Sequence, residues 1–252
     1  MQEGTLDHVM LRVEDLDASL EWYTTHLGYE EKGRWEADTF TNVFLGPPDV
    51  AEAGALLELT YNHDGRSYDM GDGWGHIAVR VQDVADAYET LMEEGVTDYR
   101  DPESCGGSYA FVTDPDGHEI ELVERAVGAR WSLDHTMVRV EDLETAVGYY
   151  VRALGYQETG RWEADTFANF FLDHPEAAPE TMSLEVTYNY DGRSYELGDA
   201  WGHIAVRAED LEAYWATLMD RESTDYRDPE SCGFNYAFTK DPDGHEIEVV
   251  ER

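Results

Sequence analysis

Four histidines and four glutamates recur along this chain at spacings that suit a metal centre. His8, His76, His135 and His203 each lie near the start of a strand-like segment, and Glu58, Glu121, Glu185 and Glu248 each lie in the middle of another. Side chains alternate faces along a strand, so His8 shares a face with Met10 and Arg12, and Glu58 with Thr60 and Asn62. The same parity puts Glu121 beside Glu119 and turns His118 away from it, which argues against His118 as a ligand. A buried carboxylate on a strand is costly unless it is paired or metal-bound, so four of them require partners. Two imidazoles with two carboxylates make an N₂O₂ donor set with room for water. That set suits nickel, cobalt, zinc, manganese or iron better than the thiolate-rich structural zinc sites do. The plain alternative is a polar residue at a strand end, because a duplication copies structural residues as faithfully as functional ones.

The elements that position these residues are themselves repeated. LDHVMLRVEDL at 6–16 returns as LDHTMVRVEDL at 133–143, YNHDGRSY at 61 as YNYDGRSY at 188, and GRWEADTF, WGHIAVR and DPDGHEIE all return unchanged 127 positions later. The copies span 1–125 and 131–252, joined by the short stretch Ala126–Arg130. A weaker repeat lies within each copy, where His8-Val-Met-Leu-Arg-Val resembles His76-Ile-Ala-Val-Arg-Val. Each quarter therefore opens on a His-bearing strand and closes on a Glu-bearing one. Between them runs one helix: Asp15 is placed to cap the first, with Leu16, Leu20, Tyr23 and Leu27 at helical spacing and Gly28 at its end. Asp83 and Gly95 bracket the second, and the DPDG segments read as turns. The pattern predicts an α+β chain built as βαβββ four times over.

Composition narrows the partners. Fifty-six acidic against 17 basic residues give a net charge of −39, with Lys32 and Lys240 the two lysines. The acids are scattered over a well-patterned chain, which reads as a solvated surface rather than a tail. Molar salt would screen the self-repulsion to within about 3 Å, so a salt-adapted cytoplasmic protein is expected. Nucleic acid is disfavoured because phosphate binding needs basic surface. No apolar run of about 18 residues is present to suggest a membrane span, and the N-terminal residues carry no secretory pattern. Cys105 and Cys232 are too few for a disulfide framework and fit a reducing compartment.

The same residues resemble glyoxalase I of the vicinal-oxygen-chelate superfamily over nearly the whole chain. H-x-M-L-R-V at His8, E-L-T-Y-N at Glu58, G-H-I-A at His76 and D-P-D-G-x-x-I-E-L at Glu121 are similar to that family's four ligand motifs, in its order. They recur at His135, Glu185, His203 and Glu248. The resemblance implies two paired domains of the glyoxalase/bleomycin-resistance type. It implies two metal sites formed across the copies, His8 with Glu58, His203 and Glu248, and His135 with Glu185, His76 and Glu121. Some superfamily members instead close each site within one copy, and the sequence leaves both groupings open. The short copies look like the nickel- or cobalt-activated branch, making nickel the expected metal with cobalt, zinc and manganese as alternatives.

The activity implied is a carbon–sulfur lyase that turns the hemithioacetal of methylglyoxal and a small thiol into a lactoyl thioester, a methylglyoxal detoxification. A metal acting as Lewis acid stabilises the oxygens of the deprotonated substrate while a carboxylate moves the proton. By resemblance Glu121 and Glu248 are the favoured bases, with Glu58 and Glu185 on the opposite face. Arg12, Asn62, Arg139 and Asn189 match positions that hold the thiol's carboxylates. Two departures bear on the thiol: Asp72 and Asp199 stand where some relatives are basic, and the loops DPESCGGSYAF and DPESCGFNYAF carry no lysine. They point away from glutathione towards a shorter γ-glutamyl thiol. Trp74 and Trp201 are candidates for pocket walls or for packing, and GRWEADTF for pocket lining or a strand pair. The rival readings are an epimerase or extradiol dioxygenase on the same fold, or a non-catalytic binder of a small ligand. A monomer acting as an intramolecular pseudo-dimer is expected.

Overall fold

The computed structural model describes residues 3–51, 54–126 and 128–251, so residue 127 of the linker and the terminal residue 252 lie outside the described part. The first quarter folds as β1 (Leu6–Val13), α1 (Leu16–His26), β2 (Glu30–Glu36), β3 (Phe40–Gly46) and β4 (Leu56–Asn62). The second is β5 (Trp74–Val81), α2 (Val84–Glu93), β6 (Thr97–Arg100), β7 (Tyr109–Thr113) and β8 (Glu119–Glu124). The third repeats the first as β9 (Leu133–Val140), α3 (Leu143–Ala153), β10 (Gln157–Glu163), β11 (Phe167–Asp173) and β12 (Ser183–Asn189). The fourth is β13 (Trp201–Ala208), α4 (Leu211–Asp220), β14 (Tyr236–Lys240) and β15 (Glu246–Glu251).

The helices start and stop where the sequence predicts. The Asp15 carboxylate accepts from the Ala18 amide, Asp83 from Asp86, Asp142 from Thr145 and Asp210 from Ala213. These bonds satisfy amides that a helix N-terminus leaves without intrahelical partners. Gly28 follows the first helix at φ +64° and Gly95 the second at +83°, the left-handed conformation that ends a helix. The fourth quarter differs by one strand. Thr-Asp-Tyr-Arg is identical at 97–100 and 224–227, yet the second stretch keeps only an isolated bridge from Arg227 to Phe238. The residues before it explain this. Buried Val96 is replaced by Ser223, which removes an apolar anchor, and Gly95 is replaced by Glu222, held at φ +63°.

Two sheets form, and each draws on both copies. One has the order β14-β15-β13-β1-β4-β3-β2, the other β10-β11-β12-β9-β5-β8-β7-β6. The copies meet along β1 against β13 and β5 against β9, both antiparallel, while each His strand runs parallel to the Glu strand of its own quarter. One face of each sheet packs on helices: Val9, Leu11 and Val13 are fully buried there, and α1 lies on β4, α2 on β8, α3 on β12 and α4 on β15. The opposite face carries the histidines and glutamates.

Two loops clasp each other where the copies meet. The amides of Asp72 and Gly73 donate to the Glu196 carbonyl at 2.7 and 3.0 Å, and those of Asp199 and Ala200 to the Asp69 carbonyl at 2.8 and 3.0 Å. Gly71 sits at φ +61° so close to the opposing loop that a Cβ would fall 2.3 Å from the Glu196 oxygen. Trp74 and Trp201 stack on each other there, centroids 5.5 Å apart and planes 2° from parallel, and both are buried. They pack at the seam between copies.

Candidate metal centres

The pairing of β1 with β13 sets His8 opposite Ala205, and the parallel pairings set Met10 beside Glu58 and Ala205 beside Glu248. The result is one cluster of four buried side chains, His8, Glu58, His203 and Glu248, whose donor atoms all lie within 4.8 Å of one another. The β5–β9 pairing builds a second from His76, Glu121, His135 and Glu185. The structure thus groups the eight residues across the copies, not within them. His118 lies outside both clusters, fully buried between the Asp114 carboxylate at 3.0 Å and the Ala200 carbonyl at 3.4 Å.

The spacing within each cluster fits a cation. His8 Nε2 is 2.9 Å from Glu58, 3.1 Å from Glu248 and 3.1 Å from His203 Nε2, and His203 Nε2 is 3.4 and 3.3 Å from the two carboxylates. In the second cluster the corresponding separations run from 2.9 to 3.5 Å. Metal bonds of about 2.1 Å place neighbouring donors roughly 3.0 to 3.4 Å apart, so one ion could touch all four atoms. The electrostatics agree. Burial alone would lower the His8 imidazole, but Asp7, Glu248 and Glu58 around it outweigh burial and hold it well above its ordinary value. Burial alone would raise the glutamates, but the facing imidazoles hold Glu58, Glu121 and Glu185 below the usual range and Glu248 down at about 2. Each cluster favours positive charge at its centre.

The glutamates are held unequally. Glu58 accepts from the Asn42 amide nitrogen, and Thr60, 3.5 Å from the same carboxylate oxygen, also donates to Asn42 Oδ1. Among the described residues Glu248, Glu121 and Glu185 meet only imidazoles, so the clamp distinguishes the two glutamates in the His8 site alone. His8 Nδ1 meets Asp7 at 2.8 Å, and His135 Nδ1 meets Asp134 at 3.0 Å. Asp7 also takes the Arg207 guanidinium, and Asp134 those of Arg80 and Arg125. Phe44 and Phe238 pack edge-on against His8 and His203. None of these supports came from the ligand motifs. The Asp-His dipeptide shared by residues 7–8 and 134–135 was the signal for two of them.

Each cluster floors a cavity, of 510 Å³ beside His8 and 530 Å³ beside His135. Arg12 and Asn62 line the first, Arg139 and Asn189 the second. Arg12 Nη1 donates to the carbonyls of Asp199 and Trp201 at 2.8 and 2.7 Å, and Asn62 donates to the Tyr68 hydroxyl at 2.7 Å. From GRWEADTF, half-exposed Trp35 and Trp162 with Phe40 and Phe167 form an aromatic wall. Arg100 and Arg227 line the cavities as well, stacked on Phe111 and Phe238. They lie outside the recurring ligand motifs. Cys105 and Cys232 are both thiols.

The family model described as the Glyoxalase/Bleomycin resistance protein/Dioxygenase superfamily matches residues 5–122 and 132–249. The lactoylglutathione lyase GLX1 of Arabidopsis thaliana is 36% identical over 212 residues, 81% of this chain and 74% of its own. The lactoylglutathione lyase of Schizosaccharomyces pombe is 30% identical over 298 residues, covering 100% of this chain and 98% of its own. The crystal structure of glyoxalase I from Zea mays superposes with a TM-score of 0.86 at 30% identity, over 98% of this chain and 92% of that one. A likeness that runs end to end through both copies, in sequence and in fold, is one of common descent: the chain belongs to the glyoxalase I family of this superfamily.

Proposed function

We propose that the chain is a metal-dependent lyase that isomerises the hemithioacetal of methylglyoxal and a small thiol to a lactoyl thioester. The observation that carries this reading is the pair of complete two-His, two-Glu clusters, each flooring a cavity with an aromatic wall and an arginine mouth. The lyase names of the relatives that span the chain support it. We assign His8, Glu58, His203 and Glu248 to one divalent ion and His76, Glu121, His135 and Glu185 to the other. When bound, such an ion supplies Lewis-acid charge that offsets negative charge on neighbouring substrate oxygens.

The residues do the rest. Glu248 and Glu121 take the proton from the thiol-bearing carbon and return it to the adjacent carbon, while the hydroxyl proton on the first carbon passes to the oxygen on the second, so that the product is an isomer of the substrate. In the His8 site the Asn42 clamp supports Glu58 as the anchor and leaves Glu248 as the base, and Glu121 takes that role in the second site as its counterpart. Arg12 and Asn62, with Arg139 and Asn189, hold the carboxylates of the thiol, for which a γ-glutamyl thiol shorter than glutathione fits the missing basic anchors. Nickel is the metal we favour, and a donor set without thiolate supports it alongside cobalt, zinc and manganese. The scattered charge of −39 supports a salt-adapted cytoplasmic monomer carrying both sites. Among the described residues no helix is long and apolar enough to cross a membrane.

The test is thioester formation from methylglyoxal and a panel of thiols after chelation and re-addition of single metals. Glu121→Gln and Glu248→Gln should each remove about half of kcat, and the double variant should fall by about 100-fold or more. No thioester with any thiol and metal would sink the reading.

A further inference from the structure

Two buried histidines outside the metal clusters, His118 and His245, both reach across the seam between the copies. His118 follows the turn that leads into β8, three residues before Glu121. Its Nδ1 meets Asp114 at 3.0 Å, and its Nε2 lies 3.4 Å from the Ala200 carbonyl of the other copy. That carbonyl also accepts the backbone amide of Arg12 at 2.8 Å. The carbonyls on either side of it, those of Asp199 and Trp201, take Arg12 Nη1 at 2.8 and 2.7 Å. The His118 ring also packs edge-on against Trp201, centroids 5.5 Å apart. Three successive residues therefore grip Arg12, and His118 backs two of them. The other half repeats this arrangement. His245, three residues before Glu248, lies 3.1 Å from the Gly73 carbonyl and packs edge-on against Trp74 at 4.9 Å. Gly73 accepts the Arg139 amide at 2.8 Å, and the Asp72 and Trp74 carbonyls hold Arg139 Nη1. Among the described residues the other side-chain donors of both arginines have no protein acceptor, and each arginine lines a cavity. Each link also crosses between sites: His118 leads into the strand of Glu121 yet supports the arginine of the His8 cavity.

We propose that His118 and His245 are positioning residues, each fixing the carboxylate-binding arginine of the site to which its own strand contributes no ligand. His118 serves Arg12 in the His8 site, and His245 serves Arg139 in the His135 site. The inference deepens the lyase reading and rests on it for the two arginines as holders of the thiol's carboxylates. Losing one such hydrogen bond while the rest of the support stays should weaken substrate binding about fivefold. Neither histidine belongs to a cluster, so the loss falls on KM and spares kcat.

The experiment uses the metal-loaded full chain with one site silenced at a time. Glu121→Gln leaves the His8 site to turn over, and Glu248→Gln leaves the His135 site. The substrate is the hemithioacetal of methylglyoxal with γ-glutamylcysteine, or with glutathione should that be the active thiol. His118→Asn keeps a donor for Asp114 but is too short to reach Ala200. Added to Glu121→Gln, it should raise KM about fivefold and leave kcat within about twofold. Added to Glu248→Gln it should change neither constant, although the working base, Glu121, is then three residues away. His118→Gln, long enough to donate to Ala200, should recover the KM, and His245→Asn should show the mirror pattern. An unchanged KM in the Glu121→Gln chain, a loss in both chains, or no recovery with glutamine overturns the proposal. Should His118→Asn fail to fold, His245→Asn decides alone. Thioester formation with an unchanged KM fells the positioning and leaves the lyase reading standing. Should no thiol yield thioester, the lyase reading falls and calorimetry with S-hexyl γ-glutamylcysteine decides the positioning. His118→Asn in the otherwise native chain should then weaken one of two sites about fivefold, and unaltered or absent binding overturns the proposal.

Discussion

The strand-opening histidines of the first and third quarters each lean on the aspartate before them in the chain. Asp7 fixes His8 by its Nδ1, which presents Nε2 to the cluster, and Asp134 does the same for His135. Such outer carboxylates orient a ligand ring and raise its basicity, and losing one weakens metal binding by about 10- to 100-fold. Asp7→Asn and Asp134→Asn should therefore each weaken one of the two ions by that factor in a competition with a fluorescent chelator. Unchanged affinity at both sites would show that the aspartates serve only their arginines. Alternation could not have located these residues. It puts Asp7 on the face opposite His8, and the bond forms because a short side chain can reach back along the strand to its neighbour's ring. Arg100 and Arg227 have another reason: one closes the four-residue β6 and the other keeps only an isolated bridge, stretches too short for alternation to mark a face.

At the scale of elements, the quarters were legible because capping aspartates, helix-ending glycines and two-residue alternation agree with one another. The choice of partner strands was not. Trp-Gly-His-Ile-Ala-Val-Arg is identical at the start of β5 and of β13, so β1 carries no side-chain preference between them. The loop clasp around Gly71 and Gly198 settles it in space. The loss of a sixth-strand equivalent in the fourth quarter traces to Ser223, which lacks the apolar anchor of Val96, and to Glu222, whose left-handed backbone carries a penalty of about 1 kcal/mol that Gly95 avoids. Glu222→Gly should raise the melting temperature by about 2 °C by calorimetry, and Gly95→Ala should lower it by a similar amount. The DPDG turns hold a second kind of device. His118 has an acceptor at each ring nitrogen, so its cation satisfies both. Burial would lower it, but Asp114 outweighs burial and raises it above 6.5, while burial on Asp114 is outweighed by His118, which lowers it below 3.8. The raised histidine stabilises fully below about pH 6.5 and loses this as pH climbs through its folded value. The lowered aspartate stabilises above about pH 3.8 and loses this as pH falls through its own. His245 and Asp241 repeat the pair. Denaturation midpoints of the wild type should therefore fall above neutral pH more steeply than those of His118→Gln/His245→Gln. Parallel curves would contradict this.

For the whole molecule, the net charge of −39 sets the solvent in which the fold is secure. Raising potassium chloride from about 0.1 M to molar shortens the screening length from roughly 10 Å to 3 Å, and the melting temperature should rise with it. A melting point indifferent to salt would mean that the acids already repel one another little. The sheets also constrain what a fragment can do. Residues 1–126 alone have no β9 or β13 to pair with, so β1 of one fragment should pair with β5 of a second. That fragment should sediment as a dimer binding one metal per chain, and a folded, metal-binding monomer would refute the pairing argument.

The cross-paired sheets also bear on how the gene can change. In a dimer of identical subunits every substitution appears at both sites at once, whereas here equivalent positions such as Thr113 and Lys240 vary independently. Yet the copies are not spares for each other. A point change at one ligand silences one pocket and leaves its twin, but deletion of either copy removes both from the single chain, since each pocket takes half its ligands from each, and only pairing with a second chain rebuilds them. The duplication is thus free to specialise, and can shrink only by becoming a dimer again.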